Sequence, residues 1–252
     1  QGSLSDETLL GDEKFDVITL TGVLEHIYDL EPVMQNISRM SEKNDGLILI
    51  EVPDVNRYSD FSDIPFQDFN LEHINHFSPI SLQNIMSKHG FETIKLLQQD
   101  VAISESHLTP AITALFKRRK ETQKTTIQVD IDIQERLQKY IEKSNAELNR
   151  LNSILSSRLE GVDRLIIWGA GQLCLKLLQL PAFDSIEIEK FLDSNVIFHK
   201  SSLGGVEIIS PSDLQNDENI PILITTIYHD KAIRRSIVNE LNWNNQIISL
   251  EG

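Results

Sequence analysis

Two stretches of the chain alternate short apolar strands with amphipathic helices, and this alternation restricts the fold more than any other feature. In the first stretch, residues 15–20 (FDVITL) and 47–52 (LILIEV) are apolar strands, and residues 23–40 between them carry apolar side chains at helical spacing. Strand, helix and strand in this order indicate a parallel sheet with a right-handed crossover. We therefore expect an α/β protein in which residues 23–40 form one helix.

The second stretch begins at residue 164 and contains enough elements for a small doubly wound domain of its own. Its predicted strands are residues 164–168, 188–192, 221–226 and 246–250. Helices are predicted over 172–180 and up to residue 241, and Ser210-Pro211 has the pattern of a capped helix start.

A helical segment over residues 132–159 connects the two stretches. Its apolar stripe consists of Leu137, Ile141, Leu148, Leu151 and Leu155, and polar Ser144 interrupts it. Either a linker helix packed on a domain or a short homodimer seam has this pattern. We predict three regions: residues 4–110 as the first domain, 111–160 as a helical linker and 161–252 as a Rossmann-like domain.

Charge and cysteine content exclude several classes of function. The 252 residues carry a formal net charge of −15, which repels nucleic-acid backbones, so we expect no nucleic-acid partner. The single cysteine, Cys174, excludes a disulfide within the chain and indicates a cytoplasmic protein. No apolar run approaches the roughly 18 residues of a membrane span, so we expect no membrane partner.

The densest polar cluster covers residues 70–78 (NLEHINHFS). It follows a long loop, residues 54–70, and precedes a helix that Ser78 and Pro79 are expected to begin. A histidine beyond the carboxyl end of a parallel strand can serve as a general base. The catalytic candidates are His73, Glu72 and His76, although these residues could equally cap the helix and hydrogen-bond the loop. Zinc is a competing idea, but no cysteine or third ligand lies nearby in sequence, so we expect no metal site.

A glycine-rich turn follows the strand at residues 164–168. Gly169 and Gly171 permit a tight turn that leaves helix amides open to a phosphate, and Asp193 closes the next strand where a ribose-binding carboxylate is expected. Cys174 stands where the dinucleotide pattern has Gly or Ala. Tight turns between a strand and a helix favour glycine in any such fold, so this turn is either a nucleotide site or purely structural.

Taken together, these residues resemble a known family. Residues 15–18, 23–27 (VLEHI) and 46–53 (GLILIEVP) look like the fourth strand, fourth helix and fifth strand of a class I methyltransferase. The cluster at 72–78, and the third region with its WGAG, DSN and ISP segments, resemble sugar C-methyltransferases and related O-antigen-cluster methyltransferases.

The resemblance implies the activity and the site. In this family S-adenosylmethionine is the methyl donor and a nucleotide-linked sugar is the acceptor, as in polysaccharide biosynthesis. The donor would lie beside Thr21, Gly22 and Val23, with His26 close by, and His73 would be the general base. Gly169, Gly171 and Asp193 would bind substrate. The family's C-methyltransferases have a tyrosine and a histidine before this base, where the chain has Asn70 and Leu71, so O- or N-methylation stays open beside C-methylation.

One departure concerns the donor site. The family's glycine-rich loop and ribose-binding acid should both precede residue 15, and only about 14 residues do so. We therefore expect an incomplete methyltransferase sheet that binds the donor weakly or not at all. The alternatives are a nucleotide-sugar binding module without catalysis and a nicotinamide-dependent oxidoreductase.

Overall fold

The computed structural model describes residue 4 and residues 13–41, 46–61, 64–104, 107–119, 126–215, 217 and 219–250. The chain divides into two compact units. The first comprises Gln1–Ser62 and Asp68–Ile141, and the second comprises Asp63–Gln67 and Glu142–Gly252. Each unit is built on its own sheet, as expected for an α/β protein.

The first unit contains a four-stranded mixed sheet with the strand order β1-β2-β4-β3. Its elements are, in chain order, β1 (Val17–Thr21), α1 (Leu30–Met40), β2 (Leu47–Pro53), α2 (Pro79–Lys88), β3 (Phe91–Ser104) and β4 (His107–Arg118). The predicted parallel pair is confirmed, because β1 and β2 run parallel in register from Val17↔Leu47 to Thr21↔Glu51. β4 lies antiparallel between β2 and β3, and sequence analysis did not predict it.

The prediction of one helix over residues 23–40 is wrong. A 3-10 turn, Leu24–His26, is followed by an extended Ile27, and α1 begins only after Asp29, whose side chain accepts a hydrogen bond from the Glu31 amide. Pro32 explains the break, because proline lacks an amide hydrogen and its ring collides with the carbonyl four residues earlier in a helix. α1 then buries Val33, Met34, Ile37 and Met40 against the sheet.

Residues 54–70 are not wholly irregular. A 3-10 helix, Val55–Asp60, buries Val55 and Tyr58, and the Asp54 side chain accepts from the Asn56 amide at its start. The capped start of α2 is confirmed: Ser78 Oγ accepts from the Ser81 amide, and Ser81 Oγ accepts from the Ser78 amide.

The second unit is the doubly wound domain that the sequence predicted. Its sheet has the order β10-β9-β5-β6-β8-β7, with every pair parallel except the hairpin β7/β8. Its strands are β5 (Arg164–Trp168), β6 (Glu187–Leu192), β7 (Ser202–Leu203), β8 (Val206–Ile209), β9 (Ile222–Ile224) and β10 (Ile247–Ile248). The helices are α4 (Gln172–Leu177) and α5 (Asp230–Arg235), which a π turn, Ser236–Glu240, extends. Ser210-Pro211 begins only a three-residue 3-10 turn, and Ser210 makes no side-chain cap there, so the predicted helix start is wrong.

The predicted central helix is α3 (Ile133–Arg158), and the division between the units falls within it. Its fully buried positions are Tyr140, Ser144, Leu151 and Leu155, so Ser144 belongs to the buried stripe. The Ser144 hydroxyl accepts from the Phe66 amide, which removes the cost of burying it. The predicted domain boundary at residue 110 falls inside β4, which pairs with β2 from Ala111 to Lys117. None of the described helices is long and apolar enough to cross a membrane.

Candidate functional site

The first candidate site lies where β1 ends. Gly22 adopts φ +64°, a left-handed conformation that favours glycine, and turns the chain into the 3-10 turn that carries Glu25 and His26. A Cβ at Gly22 would lie 3.7 Å from Glu25 Oε1, so the carboxylate faces this turn. Glu25 is only 3% exposed, whereas the His26 side chain is 39% exposed. The turn therefore places one buried carboxylate and one accessible imidazole at the carboxyl end of a parallel strand.

The histidine-bearing segment is hydrogen-bonded to the same turn. The amides of Ile74 and Asn75 both donate to the Glu25 carbonyl, at 2.8 and 3.0 Å. Asn75 Nδ2 donates to the carbonyls of Leu24 (3.1 Å) and Ile27 (2.6 Å). These bonds occupy carbonyls that a continuous helix would have used, and they fix residues 73–75 beside residues 24–27.

Three side chains meet as a result. The rings of His26 and His73 lie edge to face, with their centroids 5.0 Å apart. His26 Nε2 lies 3.9 Å from Glu25 Oε1, and one ligating atom from each of Glu25, His26 and His73 falls within 4.8 Å of the others. We refer to Glu25, His26 and His73 as the carboxylate–imidazole cluster. The expectation of no metal site considered His73 and His76 with their sequence neighbours, whereas this cluster joins His73 to two residues about 50 positions earlier.

Burial sets the protonation of this cluster. It raises the pKa of Glu25, and the nearby Glu51 carboxylate raises it further, while hydrogen bonds and His26 act in the opposite direction. Burial also lowers the pKa of His73, and the neighbouring imidazoles of His26 and His76 add to the effect. His73 is therefore a neutral imidazole near pH 7, the form that accepts a proton or ligates a metal.

The other two predicted catalytic residues do not join this cluster. His76 Nδ1 lies 3.1 Å from the Tyr58 hydroxyl, and its ring packs edge to face on Phe69. Glu72 has an exposed side chain, and its contribution to the cluster is its backbone carbonyl, which His26 Nδ1 contacts at 2.9 Å. Of His73, Glu72 and His76, only His73 places its side chain in the cluster.

The predicted donor-binding residues lie together at the same strand end. Thr21 and Gly22 are exposed, Val23 is partly buried, and His26 follows directly. The Gly22 amide donates to the Glu51 carbonyl, which ties this turn to the end of β2. The exposed turn could accommodate a ligand at this edge of the sheet. Donor binding stays a prediction for all four residues, Thr21, Gly22, Val23 and His26.

The second candidate site is a cavity of about 680 Å³ in the second unit. It lies at the carboxyl ends of β5, β6 and β9. The sheet order reverses direction between β5 and β9, and ligands of doubly wound sheets bind outside the strand ends at such a point. The residues that line it include the two glycines of the turn, Gly169 and Gly171. Polar and aromatic lining residues include Trp168, Asp193, Ser194, Thr225, Thr226 and His229. Sequence analysis singled out Gly169, Gly171 and Asp193, and missed Trp168 and the two threonines.

The glycine-rich turn is closed by the protein itself. Asp193 Oδ2 accepts from the Ala170 amide at 2.9 Å, and Oδ1 accepts from the Asn195 amide at 2.8 Å. Helix α4 has only six residues, and Lys176 Nζ donates to the carbonyls of Pro65 and Phe66. The expectation that this turn leaves its amides open to a phosphate is therefore not met at Ala170. The cavity offers hydroxyl and carboxylate groups instead.

Two family models match separate parts of the chain. Residues 2–96 match the model of a methyltransferase domain. Residues 161–248 match a domain described as C2185-like, N-terminal. None of the curated proteins matches the chain.

Solved structures with similar folds are methyltransferases, at low identity. They include an S-adenosylmethionine-dependent methyltransferase from Methanosarcina mazei, with 13% identity over 48% of this chain and 66% of that one, at a TM-score of 0.38. Another is a 1,6-didemethyltoxoflavin-N1-methyltransferase from Burkholderia thailandensis with bound S-adenosylhomocysteine, with 18% identity over 46% of this chain and 48% of that one, at a TM-score of 0.33. The chain thus spans two thirds or less of their lengths, and these likenesses add nothing to the family matches. The chain is thus similar to a methyltransferase domain over residues 2–96 and to a C2185-like, N-terminal domain over residues 161–248.

Proposed function

We propose that this protein transfers a methyl group from S-adenosylmethionine to a sugar or nucleotide sugar in polysaccharide biosynthesis. The observation that carries the proposal is a neutral imidazole, His73, held at the carboxyl end of β1 within a domain that matches methyltransferases. The donor supplies an electrophilic methyl group on a sulfonium ion. The protein's task is to hold the acceptor and to take up the proton that the acceptor loses.

The cluster suits that task. The acceptor's hydroxyl or carbon forms the new bond to the methyl carbon while the carbon–sulfur bond breaks, and the acceptor's proton passes to a ring nitrogen of His73. His73 Nδ1 is buried and has no hydrogen-bond partner among the described residues. A positioned general base of this kind contributes roughly 10²–10⁴-fold to a rate.

The cavity of the second unit supports a nucleotide-linked acceptor. Asp193 and Thr225, two residues with oxygen-bearing side chains, line the cavity, and the aromatic residue Trp168 lines it as well. Asp193 stands at the end of the second strand of a doubly wound sheet, where nucleotide-binding domains of this topology carry a ribose-binding acid. We propose that the nucleoside part of the acceptor occupies this cavity.

Methyl transfer is tested with the full-length protein, isotopically labelled S-adenosylmethionine and a panel of nucleoside diphosphate sugars. We expect one panel member to gain one methyl group. His73→Asn should lower kcat by about 10²-fold or more while its circular dichroism spectrum stays that of the wild type. Absence of transfer to every acceptor would refute the proposal. An unchanged kcat in His73→Asn would refute the role of His73.

Nucleotide binding is tested separately by tryptophan fluorescence. Both tryptophans, Trp168 and Trp243, lie in the second unit, and Trp168 lines the cavity. Ala232→Phe places a ring in the cavity, whereas Lys231→Phe places the same ring on the same helix outside the lining residues. We expect nucleoside diphosphate sugars to change the emission of the wild type and of Lys231→Phe, and to leave Ala232→Phe unaffected. Binding without any methyl transfer would favour a nucleotide-sugar binding module.

A further inference from the structure

The carboxylate–imidazole cluster contains a buried carboxylate oxygen that the fold leaves without a partner. Glu25 is 3% exposed, and among the described residues its Oε2 accepts no hydrogen bond. His73 Nδ1, in the same cluster, is also buried and unpartnered. Buried polar atoms are almost always paired, and each unpaired one costs about 1–3 kcal/mol. Two unpaired buried atoms among the three residues of one cluster indicate a partner that the described residues do not supply.

The geometry points to a metal ion as that partner. We propose that Glu25, His26 and His73 bind a divalent first-row transition metal, such as Zn²⁺ or Co²⁺, through one carboxylate oxygen and two imidazole nitrogens. Ligands of this kind lie about 2.0–2.2 Å from such an ion, so two of them can be at most about 4.4 Å apart. The three atoms lie within 4.8 Å of one another, which small side-chain rotations can close.

The hydrogen bonds of His26 prepare it as a ligand. Its Nδ1 lies 2.9 Å from the Glu72 carbonyl, and because a carbonyl oxygen only accepts, Nδ1 must carry the hydrogen. Nε2 then carries the lone pair, and this is the atom 3.9 Å from Glu25 Oε1. Histidines that ligate metals almost always donate their other ring N–H to a carbonyl or carboxylate in this way.

The ligand set selects the class of metal. Two imidazoles with one carboxylate suit zinc and its first-row neighbours, whereas Mg²⁺ prefers oxygen ligands. The exposed edge of His26 leaves room for further ligands such as water or an acceptor hydroxyl.

A bound metal would change the part that His73 plays. His73 would then be a ligand rather than a base, and a hydroxyl of the acceptor bound to the ion would lose its proton more readily. Metal binding by itself does not rest on the proposed methyl transfer, so the two are tested apart. If methyl transfer proceeds without a metal, His73 acts as the base. If the protein binds a metal but transfers no methyl group, the metal site is supported and the proposed methyl transfer is not.

The test titrates the metal-stripped full-length protein with Co²⁺ and follows its visible absorption, then adds Zn²⁺ or Mg²⁺ as competitor. We expect one Co²⁺ per chain, displaced by Zn²⁺ and not by equal Mg²⁺. Glu25→Gln and His73→Asn should each weaken Co²⁺ binding by at least the roughly 10- to 100-fold that follows loss of a residue supporting a metal ligand. His89→Asn is the matched control, because His89 Nε2 lies 3.6 Å from Glu31 Oε2 and, among the described residues, no group of three ligating side chains includes His89.

Thermal melts with and without Zn²⁺ distinguish loss of metal binding from failure of a variant to fold. Glu25→Gln preserves shape and removes the charge, so without metal it should melt no lower than the wild type, while the rise in Tm that Zn²⁺ causes in the wild type should disappear. No Co²⁺ spectrum in the wild type would overturn the proposal. So would equal weakening by His89→Asn, or unchanged binding in both cluster variants.

Discussion

Replacing Gly169 by alanine should destabilise the second unit far more than replacing Gly171, two positions along the same turn. Gly169 has φ +108°, which L side chains rarely adopt, and its added Cβ would lie 3.0 Å from Thr225 Oγ1. Gly171 has φ −80° and ψ −170°, ordinary extended values, and a Cβ there meets nothing within 4 Å.

The magnitude follows from two contributions. Forcing alanine into such a backbone conformation costs about 1–3 kcal/mol. The Thr225 hydroxyl that the Cβ would displace donates to the Gly169 carbonyl at 2.5 Å, and losing that bond costs about 0.5–1.5 kcal/mol. The expected loss for Gly169→Ala is therefore about 2–4 kcal/mol. Alanine at position 171 stabilises the protein by lowering the conformational entropy of the unfolded chain, and destabilises it because alanine is a poorer helix N-cap than glycine. The free energy of unfolding of Gly171→Ala should therefore stay within about 1 kcal/mol of the wild-type value.

Urea unfolding followed by tryptophan emission measures this difference, because Trp168 and Trp243 both lie in the second unit with ring centroids 6.2 Å apart. With an m-value of about 2 kcal/mol/M, the midpoint of Gly169→Ala should fall by about 1–2 M. Midpoints of the two variants within about 0.3 M of each other would refute the reasoning. A changed m-value would instead mean that the compactness of one state had changed, and equilibrium data at two wavelengths check for that.

Three further predictions concern other parts of the chain. Ser78→Ala removes the reciprocal cap with Ser81 and should lower the free energy of unfolding by about 1–2 kcal/mol. Urea denaturation followed by circular dichroism measures this loss, and a loss below about 0.3 kcal/mol would contradict the role of the cap. Burial raises the pKa of the Cys174 thiol to about 12, so at about pH 8 it should resist Ellman's reagent in the native protein and react after unfolding. Fast native labelling would show that the thiol is accessible. Asn75→Ala loses the donor to Leu24 and Ile27, so amide exchange over residues 73–75 should accelerate while exchange in the second unit stays unchanged; equal exchange would mean that these bonds do not hold the segment.

Elements were predicted correctly where the spacing of apolar residues agreed with glycine, proline or capping residues at the element's ends. β2 is a run of apolar residues after Gly46, β5 ends at the glycine-rich turn, and Ser78-Pro79 begins α2. The predicted helix over 23–40 failed because apolar spacing continued through Pro32, and proline's effect on the backbone outweighs side-chain periodicity.

Elements fixed by distant partners were harder to predict. β4 carries Pro110, and it is held as a strand by pairing with β2 and β3 on both sides. Its position in the sheet depends on long-range contacts that no local pattern records.

The candidate site was predicted in part for the same reason. His73 and His26 were singled out, but Glu25 was explained by its position near a helix start. Its burial follows from the carbonyl bonds with Ile74 and Asn75, which lie about 50 residues further along the chain. A signal was available, since a carboxylate flanked by Leu24 and His26 in an apolar segment after a strand is unusual outside a site.

The position of β4 has a consequence for biosynthesis. During translation β1 and β2 leave the ribosome early, yet the second hydrogen-bonding edge of β2, through Leu47–Pro53, is paired by the last strand of the sheet. Until His107–Arg118 emerges, that apolar edge is open to strands of other nascent chains. Expression fragments that stop before residue 107 should therefore aggregate, and those that continue past residue 118 should not.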